Sequence, residues 1–387
     1  MKEQKRVPKL RFEEFSGEWE TKKLGLLCSK IGSGSTPSGG QEVYQQTGIP
    51  FIRSQNVINN ELILDHTCIP ESINSKMKGS IVKSNDILLN ITGGSIGRSC
   101  VVPKGFKIGN VNQHVSIIRL KKDEPKFIQS FLASYRGQKL ILRGQTGSGR
   151  EGLNFQSIRG FKINIPTLTE QQKIAAFISA VDKKITQLQQ KQRLLEAYKK
   201  GVMQRIFSQE LRFTREDGSA YPDWEEQKMR DVAPLQRGFD LPTSKIIEGD
   251  YPVVYSNGIL RKHKEFKVNA PGVITGRSGT IGQVTYINEK FWPHNTSLWV
   301  TDFKGNYPKF IYYLYHFFKL ERFNAGSTVP TLNRNDVHAV KKHIPIRPEQ
   351  TQIAHFLSAI DKKIAVVETQ IEQTQQFKKG LLQQMFA

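Results

Sequence analysis

The chain is poor in the residues that chemistry and secretion usually draw on. Its 387 residues include three cysteines, Cys28, Cys68 and Cys100, with no CxxC pair among them. An odd, scattered set excludes a disulfide framework and a zinc-finger spacing, and points to reduced thiols in a cytoplasmic protein. Long apolar runs are missing: no stretch approaches the ~20 residues of a membrane span, and the opening MKEQKRVPKLRF has no apolar core of the signal-peptide kind. Acidic residues are scarce, 35 against 57 Lys and Arg, which leaves a formal charge of +22. The excess is spread along the chain rather than held in a tail. On a folded chain with 37% hydrophobic residues it points to a polyanion, above all nucleic acid. A membrane surface fits less well, because the helical segments carry Gln and Lys where a lipid-facing stripe needs bulky apolar groups.

Catalytic motifs are also missing. No GxxxxGK[ST] is present, so the loop Gly32–Gly40 lacks the lysine of a phosphate loop. Gly93-Gly94-Ser95-Ile96-Gly97 lacks the strand–helix context and the distant acidic residue of a dinucleotide site. No Asn/Asp-Pro-Pro-aromatic motif of the amino-methyltransferase kind occurs. Pro222-Asp223 and Glu226-Gln227-Lys228 imitate a nuclease pattern, but too tightly to place carboxylates on two strands. The eight histidines, His66, His114, His263, His294, His316, His338, His343 and His355, fall in no metal-ligand spacing. No catalytic or metal site is therefore assigned.

What is present is a repeat. Residues 165–207, IPTLTEQQKIAAFISAVDKKITQLQQKQRLLEAYKKGVMQRIF, return as 344–386, IPIRPEQTQIAHFLSAIDKKIAVVETQIEQTQQFKKGLLQQMF, without a gap at an offset of 179. Apolar residues three and four apart in each copy predict a long amphipathic helix. Pro348 suits a first helical turn, and Glu170 and Glu349 suit the positive end of the helix dipole. Roughly 38 residues at ~1.5 Å each make a rod of ~57 Å, and each stripe's natural partner is the other, as an intramolecular two-helix coiled coil. Two helices packed separately on their own domains are the alternative. Gly201 and Gly380 recur at matching places, which suggests a close helix approach or a shared helix end.

A second echo lies upstream. Leu10-Arg11-Phe12 with Trp19-Glu20 matches Leu211-Arg212-Phe213 with Trp224-Glu225. The chain thus divides into a globular domain with its entry segment over 1–164, a long helix over 165–207, a second globular domain over 208–343 and a second helix over 344–387. Strands are expected at Pro50–Arg53, Asp86–Ile91 and Val115–Arg119, then at Pro252–Tyr255, Gly272–Thr275 and Ser297–Val300. Helices are expected at 125–142 and 307–323. The class is α+β, two tandem mixed domains and two long helices, pseudo-twofold by internal duplication.

This plan resembles the specificity subunit of type I restriction–modification enzymes. The resemblance covers the whole chain. Its most specific marks are Glu170-Gln171 and Glu349-Gln350, the Trp19-Glu20 and Trp224-Glu225 entries, and Gly34-Ser35-Thr36-Pro37. It implies two target recognition domains, each reading one half of a split site in double-stranded DNA, with long helices that form an antiparallel coiled coil, set the spacer and dock the methyltransferase subunits. It further implies two methyltransferase and two restriction/translocase partners, which would carry S-adenosylmethionine, ATP and Mg. A freestanding sequence-specific or architectural DNA-binding protein is the alternative. A ~57 Å rod spans at most about 17 base pairs, so half-sites about one turn apart are expected, unlike in sequence because the domains are unlike.

DNA contacts are expected from Arg53, Ser54, Asn56, Arg98, Asn112, Gln113 and Arg150 in the first domain. In the second they are expected from Tyr255, Asn257, Arg277, His294, Asn295 and Arg334. Most stand at roughly corresponding places in the two repeats. Arg261-Lys262-His263-Lys264 is expected to face phosphates.

Overall fold

A computed structural model of the chain describes residues 6–58, 60–146, 152–326 and 328–386. They form two compact units, Met1–Gln189 with Thr369–Ala387, and Gln190–Glu368. Each unit takes part of both long helices, so the helices are not separate bodies.

Within a unit the globular part begins and ends side by side. Strand Glu20–Lys23 pairs antiparallel with Lys162–Ile165, and in the second unit Glu225–Lys228 pairs in the same way with Lys341–Ile344. The main sheet of each unit is four-stranded and antiparallel, with one connectivity. Its order is Cys28–Ser33, Val115–Leu120, Ile87–Asn90, Ser99–Val101 in the first unit. In the second it is Leu235–Arg237, Ser297–Val300, Gly272–Gly276, Val284–Ile287. A smaller sheet contains a parallel pair, Ile49–Ile52 beside Gly109–Val111 and Tyr251–Tyr255 beside Trp292–Pro293. The central strands Ile87–Asn90 and Gly272–Gly276 are buried throughout, which is why they read as short apolar runs.

The helix expected at 125–142 is two helices, Pro125–Ala133 and Tyr135–Gly144. Ser134 breaks it: its backbone is extended (φ −69°, ψ 163°), its hydroxyl donates to the Phe131 carbonyl at 2.6 Å, and it accepts from Gly137 N at 3.2 Å. The helix expected at 307–323 stops at Phe317, and Lys319 in the left-handed region (φ 48°) leads into a single 3-10 turn, Leu320–Phe323.

The long helices run Leu168–Phe207 and Arg347–Gln384, starting three residues inside the repeats because Ile165 and Ile344 belong to strands. Their first turns explain the Glu-Gln signature. Glu170, 1% exposed, accepts from Arg11 Nε and Nη2, both at 2.8 Å, and from Trp19 Nε1 at 3.3 Å. Glu349, fully buried, accepts from Arg212 Nε at 2.8 Å and Nη2 at 3.0 Å, and from Trp224 Nε1 at 3.0 Å. Gln171 donates to the Pro166 carbonyl and accepts from Glu124 N. Gln350 likewise donates to Pro345 and accepts from Tyr307 N. The motif therefore fastens entry segment, globular domain and helix start together, well beyond the dipole role expected of the glutamates.

Both expected packing modes of the helices occur. In the first unit Ile174, Ile178 and Val181 share the domain's own core with Leu381, Met385 and Phe386 from the other helix. In the second, Ile353, Leu357 and Ile360 share theirs with Val202, Met203 and Ile206. Gln192 meets Glu368, and Lys199 meets Asp361 at 2.5 Å. One sequence number rises as its partner falls, so the pairing is antiparallel. At the 179 offset the same ion pair recurs in the first unit as Lys378 with Asp182, also at 2.5 Å. Gly201 and Gly380 do not mark a close approach, since a Cβ on either would meet nothing within 4 Å.

Candidate nucleic-acid interface

The loops carrying most of the expected contact residues leave the ends of the parallel strand pair and meet at one edge of each unit. In the first unit Asn112 N donates to the Ile52 carbonyl at 3.1 Å, and Gly34 N donates to the Asn112 carbonyl at 3.1 Å. Only glycine fits at position 34, where a Cβ would lie 1.6 Å from the Val111 carbonyl oxygen. Buried Asn90 donates from Nδ2 to the Ser54 carbonyl at 2.9 Å, and its backbone N–H donates to the Arg98 carbonyl at 2.8 Å. A polar chain crosses the loops. Thr36 donates to Gln113 Oε1 at 2.7 Å, Gln113 Nε2 donates to His114 Nε2 at 3.1 Å, and His114 Nδ1 meets Thr92 Oγ1 at 2.5 Å.

The second unit builds the same edge with other side chains. His294 N donates to the Val254 carbonyl at 2.9 Å, the counterpart of the Asn112–Ile52 bond. A Cβ on Gly238 would lie 2.2 Å from the His294 carbonyl oxygen, so this loop too passes close. Asn295 Nδ2 donates to Asp240, whose Oδ1 also accepts from Arg237 at 2.7 Å. The bond from Asn295, then that from Arg237, holds the Asp240 carboxyl below its ordinary range. Asp240–Asn295 thus stands where the first unit has Thr36–Gln113. Thr296 ties the remaining loops: its hydroxyl accepts from Ser256 N at 3.3 Å and its carbonyl accepts from Arg277 N at 2.8 Å.

The expected residues divide into presented and occupied groups. Arg98, Gln113, Asn257 and Arg334 are exposed at this edge; Ser54, Tyr255, Arg277 and His294 are half-buried there. Tyr255 and His294 lie with ring centroids 4.3 Å apart, and burial pushes the imidazole below its usual pKa, which favours the neutral ring. Arg53 is engaged by Asp65 at 2.8 Å and Thr67 at 2.7 Å. Against the opposing effect of burial, bonds from Thr67, Gln55 and Arg53 hold Asp65 far down as a carboxylate, so this arginine is neutralised locally.

Asn56 and Asn112 are not presented. Asn56 is 3% exposed, accepting from Arg53 N and donating to the Ile63 carbonyl, while buried Asn112 caps its own turn through His114 N. Short polar side chains that close turns look like readers in a sequence, because both tasks favour Asn. The basic run is also divided. Arg261, Lys262 and Lys264 are exposed, but His263 turns inward against Trp292 and accepts from Ile247 N at 3.1 Å. Arg150 lies outside the described residues. Thr36, Thr92, His114 and Asp240 were missed; the glycines two residues before Thr36 and Asp240 are the signal that could have located that pair of loops.

Among the described residues no group of three or more His, Cys, Asp or Glu is placed to hold a metal ion, and no helix is long and apolar enough to cross a membrane. All three cysteines are buried, and burial pushes the Cys100 thiol up to about 12.

The family model for the type I restriction modification DNA specificity domain matches residues 16–197 and 221–376. The chain is 21% identical over 403 residues to the putative type I restriction enzyme MjaX specificity subunit of Methanocaldococcus jannaschii, covering 97% of this chain and 94% of that one. It is 23% identical to the type I restriction enzyme MjaVIII specificity subunit of the same organism, over 79% of each. In structure it is similar to the type I restriction–modification S subunit from M. genitalium, with TM-score 0.64, 14% identity and coverage of 98% and 99%. It is also similar to a chain from a structure concerned with complex assembly and conformational transition of the type I R-M system, with TM-score 0.58, 14% identity and coverage of 94% and 96%.

Proposed function

The chain belongs to the type I restriction–modification DNA specificity family, whose members are non-catalytic, and from that premise we propose how this DNA sequence-recognition subunit divides its task. Each unit reads one half of a bipartite, asymmetric site through the edge that carries the loop cluster. The observation that supports this most is the shared frame with exchanged side chains. One loop-to-loop contact is Thr36–Gln113 in the first unit and Asp240–Asn295 in the second. A shared docking geometry with different donors and acceptors is what two unlike half-sites require, because base edges are told apart by donor and acceptor pattern. Exposed Arg98, Arg261, Lys262 and Arg334 supply positive charge for the phosphate backbone.

The long helices set the unread gap and dock two methyltransferase subunits, with two restriction/translocase subunits completing the assembly. S-adenosylmethionine, ATP and Mg belong to those partners, and the assembly works in the cytoplasm on double-stranded DNA. The freestanding DNA-binding alternative is not favoured by a match that spans both repeats of a subunit family. Co-expression with the methyltransferase subunit, followed by genome-wide mapping of N6-methyladenine, tests the proposal. A single split, asymmetric motif with a fixed gap is expected. Absence of any complex would overturn the subunit reading, and a palindromic or ungapped motif would overturn the two-unit division.

A further inference from the structure

The second unit carries a feature that the reading edge does not account for. Strands Tyr251–Tyr255 and Gly258–His263 form a hairpin whose second strand is at the sheet edge. Its ladder slips once: Val253 faces Arg261 and Val254 faces Ile259, leaving Leu260 as the extra residue of a bulge. A bulge re-aims side chains, and on this strand Ile259 to Lys262 are all exposed while only His263 is buried. Ile259 is left 50% exposed and Leu260 59% exposed, beside exposed Arg261 and Lys262. The base of the hairpin is fixed by the inward His263, and its turn is fixed by the bond from Ser256 N to Thr296 Oγ1. Two branched apolar side chains are thus held out by a braced support, followed by two exposed cations, next to the candidate reading loops.

The first unit is built otherwise: its exposed apolar pair, Ile63 and Leu64, lies outside any strand and is followed by the Asp65 carboxylate, not by cations. The residues after its matching strand lead into a short pair, Val57–Ile58 with Glu61–Leu62, where Val57 is fully buried and Ile58 half-buried.

We propose that Ile259 and Leu260 form an apolar wedge that enters the DNA at the half-site read by the second unit, partly unstacking one base step. This deepens the DNA-recognition reading and rests on it. The adjoining cations argue for DNA as the occupant, since they suit the phosphates next to an inserted apolar group. Specificity in this half-site then includes deformability: a flexible pyrimidine–purine step is favoured even where no base edge is contacted.

The test uses the full chain assembled with its methyltransferase subunits and a duplex bearing the mapped site, with 2-aminopurine placed in turn at each step of both half-sites. Apart from the target adenines, which the methyltransferase subunits extrude, a several-fold fluorescence rise on binding is expected at one step, in the half-site read by the second unit only. The double variant I259T/L260T keeps strand-forming residues at exposed positions; L260T alone serves if the pair impairs folding. Either is expected to abolish the rise, and the pair to weaken specific binding about tenfold with the salt slope unchanged, because no phosphate contact is lost. A rise that persists in both variants, or none in the wild type, overturns the wedge. So does a loss of methyltransferase assembly with DNA binding intact, which would make the patch a protein contact. Arg277→Ala and Arg334→Ala separate the two failures: if they weaken binding while I259T/L260T does not, only the wedge falls; if neither matters, the reading edge itself is wrong.

Discussion

Glu349 shows how much rests on single side chains. It is buried, and its three hydrogen bonds come from Arg212 and Trp224. Arg212→Ala would leave a carboxylate sealed from water, and a loss of about 3–5 kcal/mol in chemical denaturation is expected. Glu349→Gln, which removes the charge but keeps an acceptor, is expected to cost less. The Trp-Glu and Glu-Gln spacings were legible in the sequence as signatures, but their joining was not, because the Arg212 and Glu349 that meet lie far apart along the chain. Histidine supplies a second residue-scale prediction. Burial pushes His294, His316 and His338 of the second unit below the ordinary imidazole value of 6.5, and His338 Nε2 accepts from Leu235 N at 2.8 Å, which requires a neutral ring. The folded state therefore binds fewer protons than the unfolded chain once the pH falls through 6.5. Stability is fully present above that value and is lost as the solution is acidified. Thermal melts between pH 7.5 and 5.5 are expected to show this loss, and His338→Gln, which keeps an acceptor and does not titrate, to reduce it.

Among the elements, the long helices were the most legible, because a three-and-four apolar spacing sustained over ten turns has no rival reading. The interior strands were legible as apolar runs to within a residue or two. The break at Ser134 was not, since a lone serine in a helical pattern is common and only the hydrogen bonds to Phe131 and Gly137 make it a stop. Gly201 and Gly380 misled in the opposite sense. Recurrence suggested a close helix approach or a shared helix end, whereas both face open space inside helices that continue past them. Gly201→Ala and Gly380→Ala are each expected to raise stability by about 1 kcal/mol in urea denaturation, through helix propensity alone. A loss would mean that something else packs there. Asp182 is the sensitive point of the pairing: it holds Lys378 at 2.5 Å and Lys126 at 2.8 Å, all three side chains mostly covered. Asp182→Ala removes both partners' counter-charge and is expected to cost about 2 kcal/mol or more, read by the same method.

For the molecule as a whole, charge and duplication carried the functional reading, and the side chains of the reading edge were the part sequence rendered poorly. Charge of +22 is a bulk property and needs no fold, whereas presentation of Arg98 against occupation of Arg53 is decided by a neighbour such as Asp65. If the edges engage about 6–10 phosphates, affinity is expected to fall by roughly 10³–10⁵ between 50 and 200 mM salt, measurable by fluorescence anisotropy. The composition of the first unit has one more outcome, which concerns its synthesis. Its core includes Leu381, Met385 and Phe386, with Phe386 5.3 Å from Phe127 and 5.9 Å from Phe131. A nascent chain emerging at about 5–20 residues per second therefore carries an uncapped first domain for roughly ten seconds or more after its last sheet strand has left the ribosome. Throughout that interval Phe127 and Phe131 lack their cover, and the domain made first waits to complete its core until a helix made long after it has emerged.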